Sequence, residues 1–426
     1  MTPPPDHQRD PIGWTMAFTV LFFSLCLVRL TFPHQLFFDE IHYVPAADRL
    51  RDLSTPMNRE HPLVGKELIA LGMALFGDRP LGWRIMSVLA GSIATFAWMR
   101  ALWLASRSRF ATLAGGVLLI TSFMLFVQAR IAMLDVFLAA FSAIAYWQLA
   151  AAVTATSPAA ARRHLAAAGV ALGLALGSKW TVVPLVILPG LAFFIIRLEA
   201  TGWHFLSSKA ARPVPGVSVL EAALWLGILP LCVYFMTFLP MLFFDNEALT
   251  IADIIPFQME MLRLQQSVIK PHPYQSVWYE WVTNWRALWY FYEPADGAQR
   301  GVLLIGNPFT MLLGLVALAW CAFQGLFRKR PDALAITLIY AAGIGFWIVA
   351  AKPVQFYYHY LLCSMALMAA LALWLDALWE KGHRLVPLGT LALAIAIFVY
   401  FFPILTAAPL AGKMGFLDYT WLDSWR

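Results

Sequence analysis

The stretch FFDEIHYVP, residues 37–45, sets two carboxylates, Asp39 and Glu40, side by side between aromatic residues. Neighbouring side chains on a helix point about 100° apart. If this stretch is helical, the two acids serve different partners, one facing a cavity and the other a structural arginine. Helix capping or a solvated loop is the bland alternative. The flanking aromatics argue instead for a half-buried position at a membrane surface, where a carboxylate can take a proton from a substrate.

Other ionisable residues stand in similarly apolar surroundings. QARIAMLDVFLAAF carries Arg130 and Asp135, either as functional groups or as a self-neutralising structural pair. LGSKWT carries Lys179, and AAKPVQFYYHYLLCS carries Lys352, Gln355 and His359 at i, i+3 and i+7. That spacing puts the last three on one face of a helix that Pro353 can start. Such a polar stripe suits an anionic headgroup, with interfacial anchoring as the alternative. HPLVGK adds His61 and Lys66 at the start of an amphipathic, interfacial stretch, where snorkelling is the plainer reading. His272 and Arg286 flank a run of Trp and Tyr that is either a membrane-interface belt or a platform for sugar rings.

The rest of the chain says what could position these groups. Of 426 residues, 61% are hydrophobic and 13% charged, with mean hydropathy +0.70, against about 25% charged in soluble domains. This is the composition of an all-α polytopic membrane protein. The formal charge of +6 comes without the like-charge runs or basic–aromatic ladders of a nucleic-acid binder. The cysteines, Cys26, Cys232, Cys321 and Cys363, lie in apolar stretches without metal-ligand spacing, so neither a disulfide framework nor a metal site is expected. No Walker loop, GxGxxG, zincin helix or nucleophile elbow is present. A group donor should therefore be lipid-borne, with no cofactor.

Apolar runs predict about eleven spans, near 13–33, 81–104, 111–128, 132–153, 165–178, 181–198, 217–243, 301–327, 332–350, 354–379 and 385–407. The fifth is short and Gly-rich, a broken or tightly packed span. Basic residues gather after the even-numbered spans: Arg107 and Arg109, Arg162 and Arg163, Lys209 and Arg212, the RKR at 328–330, and Lys381 with Arg384. Those turns are expected on the cytoplasmic side. The polar, Pro-rich MTPPPDHQRDPIG is then cytoplasmic and precedes a retained first helix. Segments 34–80 and 244–300 become large outer loops of a single membrane domain spanning 1–426. No internal repeat is found, which counts against inverted-repeat transporters.

FFDEIHYVPAA, HPLVGKELIALG, ARIAMLDVFLA, GSKWT, HPYQSVWYEWVTNWRALWYFYE, IGNP and FYYHYL occur in this order over nearly the whole chain. Together they resemble the protein O-mannosyltransferases, family 39 glycosyltransferases of the GT-C superfamily. The resemblance implies a GT-C fold with about eleven transmembrane helices and a sugar donor carried on polyprenyl phosphate at the outer face. It implies inverting, metal-independent transfer of a sugar, most readily mannose, to a Ser or Thr hydroxyl of an exported protein, and so protein O-glycosylation at a bacterial inner membrane with the site facing the periplasm. On the matched positions, Asp39 is the catalytic carboxylate and Glu40 its acidic neighbour. Arg130, Lys179, Lys352 and His359 are candidates for the donor phosphate. Asp135 orients the acceptor or Arg130, with His61, Lys66, His272 and Arg286 as further acceptor-side candidates. The second loop, only about 55 residues long, lacks the inserted sugar-binding module of many eukaryotic members. Transfer to lipid A or another envelope glycan or lipid is the alternative, and transport of a lipid-linked substrate is the rival from another class.

Overall fold

The computed structural model describes residues 9–426 except 268 and 351. Most of the polar N-terminal stretch therefore lies outside the described residues. The chain opens with α1 (Ile12–Leu27), followed by two helices in the first loop, α2 (Glu40–Arg51) and α3 (Val64–Phe76). Then come α4 (Pro80–Ser106), α5 (Arg109–Ile120), α6 (Phe123–Gln128), α7 (Asp135–Val153), α8 (Pro158–Ser178) and α9 (Val183–Thr201). Helices α10 (Val219–Ala223) and α11 (Leu229–Met236) are joined through a π turn into one rod. The second loop carries α12 (Ile254–Gln266), α13 (Trp278–Val282) and a hairpin of β1 (Leu288–Ala295) and β2 (Ala298–Leu304). Four helices close the chain: α14 (Pro308–Arg328), α15 (Pro331–Val349), α16 (Leu361–Glu380) and α17 (Leu385–Leu405).

All eleven expected spans contain helix, but only eight helices, among the described residues, are long and apolar enough to cross a membrane. The other three fall short for visible reasons. Helix α1 has 16 residues. The third span is interrupted at Thr121 and Ser122 between α5 and α6. Helix α8 starts with Arg162 and Arg163 in its first turns. The protein is a multi-pass membrane protein, and its apolar outer belt matches that reading: Ile187, Leu231, Val316 and Val399 are each at least half exposed.

The Gly-rich α8 is one unbroken, tightly packed helix. A Cβ at Gly169 would stand 2.1 Å from the Trp225 carbonyl oxygen, and one at Gly173 would stand 2.6 Å from that of Pro230. Glycine lets α8 approach the α10–α11 rod backbone to backbone. Helix α7 packs between α4 and α8, so three long helices form a rigid wall whose ends meet the first loop.

Two expectations of local structure are corrected. Residues 301–304 are strand rather than the start of a span, since Asp296 and Gly297, at φ 52° and 76°, close a two-residue hairpin that pairs Ala295 with Ala298 and Leu288 with Leu304. Lys352, Gln355 and His359 do not share a helical face either. Residues 352–356 are an irregular linker, a 3-10 turn covers Tyr357–Tyr360, and α16 begins only at Leu361. Pro353 sits in that linker and starts no helix.

Candidate active site

The paired acids lie at the start of α2 and diverge as soon as the helix begins. Phe38 has φ 50°, in the left-handed region that a bulky residue enters only when its surroundings hold it there. They do: its ring packs on Tyr290 at 4.5 Å and meets Phe356 and Tyr358 at 6.1 Å. Asp39 follows as the N-cap of α2, yet its carboxylate accepts no capping hydrogen bond. Glu40 points into the protein and is wholly buried. Its oxygens accept from Arg84 Nε at 2.8 Å, Arg84 Nη2 at 2.9 Å and the Ala132 amide at 3.0 Å. Arg84 spends its remaining donors on the carbonyls of Leu30, Pro33 and Gln35 at 2.9–3.0 Å. One fully satisfied, buried ion pair thus ties α2 and α4 to the end of α1 and the α6–α7 turn. Glu40 is consumed by architecture; Asp39 is left available.

Asp39 is half-buried, and its carboxylate makes no hydrogen bond or ion pair to any described residue. Burial pushes its carboxyl up to about 6, opposed by the Lys179 charge and, more weakly, by His42 and Lys352, while Asp135 pushes the same way as burial. His42 is three residues further along α2, on the same side of the helix as Asp39. A carboxylate of this kind is ionised near neutrality yet basic enough to accept a proton.

Asp135 is the first residue of α7, where the positive helix end favours an acid, and Lys179 caps the end of α8, where the negative end favours a cation. They meet at 2.7 Å, both nearly inaccessible. The Arg130–Asp135 pair, one of the two readings of that stretch, is not found: Asp135 pairs with Lys179. The ammonium of Lys179 also lies 4.7 Å from the centre of the Tyr358 ring. Lys352 approaches from the α15–α16 linker, and its ammonium has no partner among the described residues. Burial, reinforced by the Lys179 charge, lowers it to about 8, so it stays mainly cationic at neutral pH. His359 stacks on Trp347 at 3.9 Å and accepts the Phe356 amide at Nδ1, which leaves a buried Nε2 without a partner.

The structure does not bring Arg130 to this group. Its guanidinium donates to the Cys26 carbonyl and lies over the Phe126 ring, which binds the α6–α7 turn to α1. His61 and Lys66 form another corner. Lys66, nearly inaccessible and pushed down to about 7 by burial, donates to the carbonyls of Asn58 and His61 at 2.8 Å each. His61, edge-on to Tyr43, is held well below its usual value by burial and the surrounding lysines, so it is a neutral imidazole. Arg59 bridges this segment to Glu247 and Glu260 of the second loop. His272 and Arg286 line an open cleft beside Lys352.

Three positions of consequence were missed in the sequence. Arg84 was legible as an arginine in the first turn of an apolar span, and such residues carry a partner by default. Tyr358 and Phe38 carried no signal beyond aromatic density. Among the described residues, no grouping of three or more His, Cys, Asp or Glu side chains has metal-site geometry.

The arrangement joins a free, raised-pKa carboxylate to buried and half-buried cations at one end of a helical bundle. Solved structures share this fold. The S. cerevisiae protein O-mannosyltransferase Pmt1-Pmt2 complex bound to the sugar donor superposes with TM-score 0.83 at 13% identity, over 99% of this chain and 93% of that one. ArnT from Cupriavidus metallidurans bound to undecaprenyl phosphate gives 0.56 at 18% identity, over 92% and 70%. Among curated proteins, polyprenol-phosphate-mannose–protein mannosyltransferases are similar: that of Mycobacterium tuberculosis H37Rv is 27% identical, covering 91% of this chain and 86% of its own. That of Mycolicibacterium smegmatis MKD8 is also 27% identical, over 100% and 95%. The model of dolichyl-phosphate-mannose-protein mannosyltransferases matches residues 16–242, more than half of the chain. That of the C-terminal four-helix region of protein O-mannosyltransferases matches 250–425. The chain belongs to the dolichyl-phosphate-mannose-protein mannosyltransferase family.

Proposed function

We propose that the protein transfers mannose from a polyprenyl-phosphate carrier to a Ser or Thr hydroxyl of an exported protein, with Asp39 as the base. The observation that carries the role of Asp39 is its isolation: beside Lys179 and Lys352, it alone of the two adjacent acids has no structural partner. Asp39 removes the hydroxyl proton as the oxygen attacks the anomeric carbon. The bond from that carbon to the phosphate oxygen breaks, and polyprenyl phosphate departs with the electron pair. Attack opposite the leaving group inverts the anomeric centre.

The departing phosphate gains negative charge, and cations preorganised around it stabilise the transition state more than the ground state. Lys352 and Lys179 are assigned that work, with the unpaired Nε2 of His359 as a further donor. Asp135 holds Lys179 in place through their 2.7 Å ion pair. Arg130 is assigned to holding α1 against the α6–α7 turn. The reading uses no metal, since lysines supply the positive charge that the leaving group needs. It places the site on the periplasmic side of a bacterial inner membrane, in agreement with the basic turns at the opposite end of the bundle.

The test is direct. Purified protein in lipid vesicles, given radiolabelled polyprenyl-phosphate mannose and a Ser/Thr peptide, should yield mannosyl-peptide. Mannose appearing only on lipid A or another glycan would move the acceptor to the alternative reading, and donor translocation without transfer would make the protein a transporter.

A further inference from the structure

Beside the catalytic group lies a cleft of about 390 Å³, built from the second loop and the α15–α16 linker. Its volume is in the range of ligand sites, about 300–1,000 Å³. The Ser276 amide donates to the Gln355 carbonyl at 2.9 Å and joins the two segments that line it. Lys352, Arg286 and His272 each bring uncommitted donors to its walls. Lys352 has no partner among the described residues. Arg286 gives one N–H to the Pro273 carbonyl at 2.7 Å and keeps the others. His272 accepts the Tyr274 amide at Nδ1, so its Nε2 bears the proton and donates. The single carboxylate among the lining residues, Glu280, accepts the Val277 amide at one oxygen at 2.9 Å, at the start of α13, and its one negative charge faces the two positive charges of Lys352 and Arg286. The cleft is therefore a cationic, donor-rich surface.

It also adjoins the base. The His272 ring meets Phe38 at 6.4 Å and Phe356 at 5.1 Å, and Phe38 directly precedes Asp39. An acceptor lying in the cleft needs to reach past one ring to present a hydroxyl to Asp39. The lining comes from loop and linker residues outside the spanning helices, which suits a polypeptide arriving from water better than a prenyl chain held in lipid.

We propose that this cleft binds the acceptor polypeptide and favours sequences with an Asp or Glu close to the modified Ser or Thr. The carboxylate is received by Arg286 and the His272 N–H, with Lys352 shared between it and the donor phosphate. The proposal rests on the reading of the enzyme as a protein mannosyltransferase.

The experiment uses the full chain in vesicles with polyprenyl-phosphate mannose and three peptides identical except for Glu, Gln or Lys beside one Thr. The wild-type kcat/KM should fall in that order by about fivefold per step, as for a charge-assisted contact of about 1 kcal/mol. Arg286→Glu should reverse the order and leave the donor KM unchanged; Arg286→Gln should flatten it if the charge reversal impairs folding. Equal use of all three peptides by the wild type overturns the proposal. A rise in donor KM with either Arg286 variant gives the cleft to the lipid phosphate and also overturns it. Failure to mannosylate any of the three overturns the functional reading itself, whereas transfer without charge preference sinks only the cleft assignment.

Discussion

Adjacent acids acquire opposite roles because one residue of helix turns their side chains about 100° apart. Glu40 neutralises a buried guanidinium, and Asp39 neutralises nothing. Removing one partner of a buried pair leaves an uncompensated charge and costs about 3–5 kcal/mol. Glu40→Gln should therefore lower the melting temperature steeply in detergent, while Asp39→Asn, which removes a desolvated carboxylate, should melt at or above the wild type. Equal destabilisation by the two would contradict the division of labour. The raised carboxyl of Asp39 also sets a pH dependence. A base with a pKa of about 6 is protonated below it, so kcat/KM for the acceptor should fall tenfold per pH unit below about 6. A profile flat down to pH 4.5 would remove Asp39 from the rate equation. Lys179 and Asp135 are coupled more tightly. Lys179→Met strands Asp135 and should destabilise, whereas the double variant with Asp135→Asn should regain much of the stability without regaining transfer. Recovery of activity in the double variant would show that the ammonium does not serve the donor.

At the scale of elements, the site depends on helices whose ends are brought together with little tolerance. The N-terminus of α7 and the C-terminus of α8 face each other because the two consecutive helices pack along their lengths, and α8 in turn lies flush against the α10–α11 rod through Gly169 and Gly173. Gly173→Leu should prevent that approach and leave little folded protein on size-exclusion chromatography. Gly389→Leu, with nothing within 4 Å of its added carbon, should fold like the wild type. These elements were unequally legible. The long apolar helices and the glycine-rich face of α8 followed from hydropathy and small-residue spacing. The Asp296–Gly297 hairpin carried its signature in plain view, but the apolar run VLLIGNPFTMLL beyond it absorbed β2 into a span. The linker at 352–356 was misread because helical spacing counts residues without knowing where the helix starts. The pairing of Asp135 with Lys179 rather than Arg130 was illegible, because contacts between separate helices follow from how the bundle closes.

For the whole molecule, the catalytic candidates and both large loops lie at one end of the bundle, with the basic turns at the other. On the proposed role of Asp39, chemistry is confined to one face of the membrane, where a lipid-borne donor and a water-borne acceptor can meet. In sealed vesicles, Glu293→Cys on β1 and Lys381→Cys after α16 should react with an impermeant maleimide from opposite sides, with peptide mannosylated only on the Glu293 side. Labelling of both from one side would refute that topology. The family and the membrane class could be read from ordered motifs, which also single out Asp39 as the proposed base, whereas the cationic cleft needed the second loop folded against the linker. The central claim is that Asp39 performs the proton transfer at a site whose donor binding belongs to other residues. Its most direct measurement compares Asp39→Asn with the wild type in vesicles, following mannosyl-peptide formation and binding of polyprenyl-phosphate mannose side by side. The account predicts transfer reduced by about 10²–10⁴-fold with donor binding retained; transfer at the wild-type rate would contradict it.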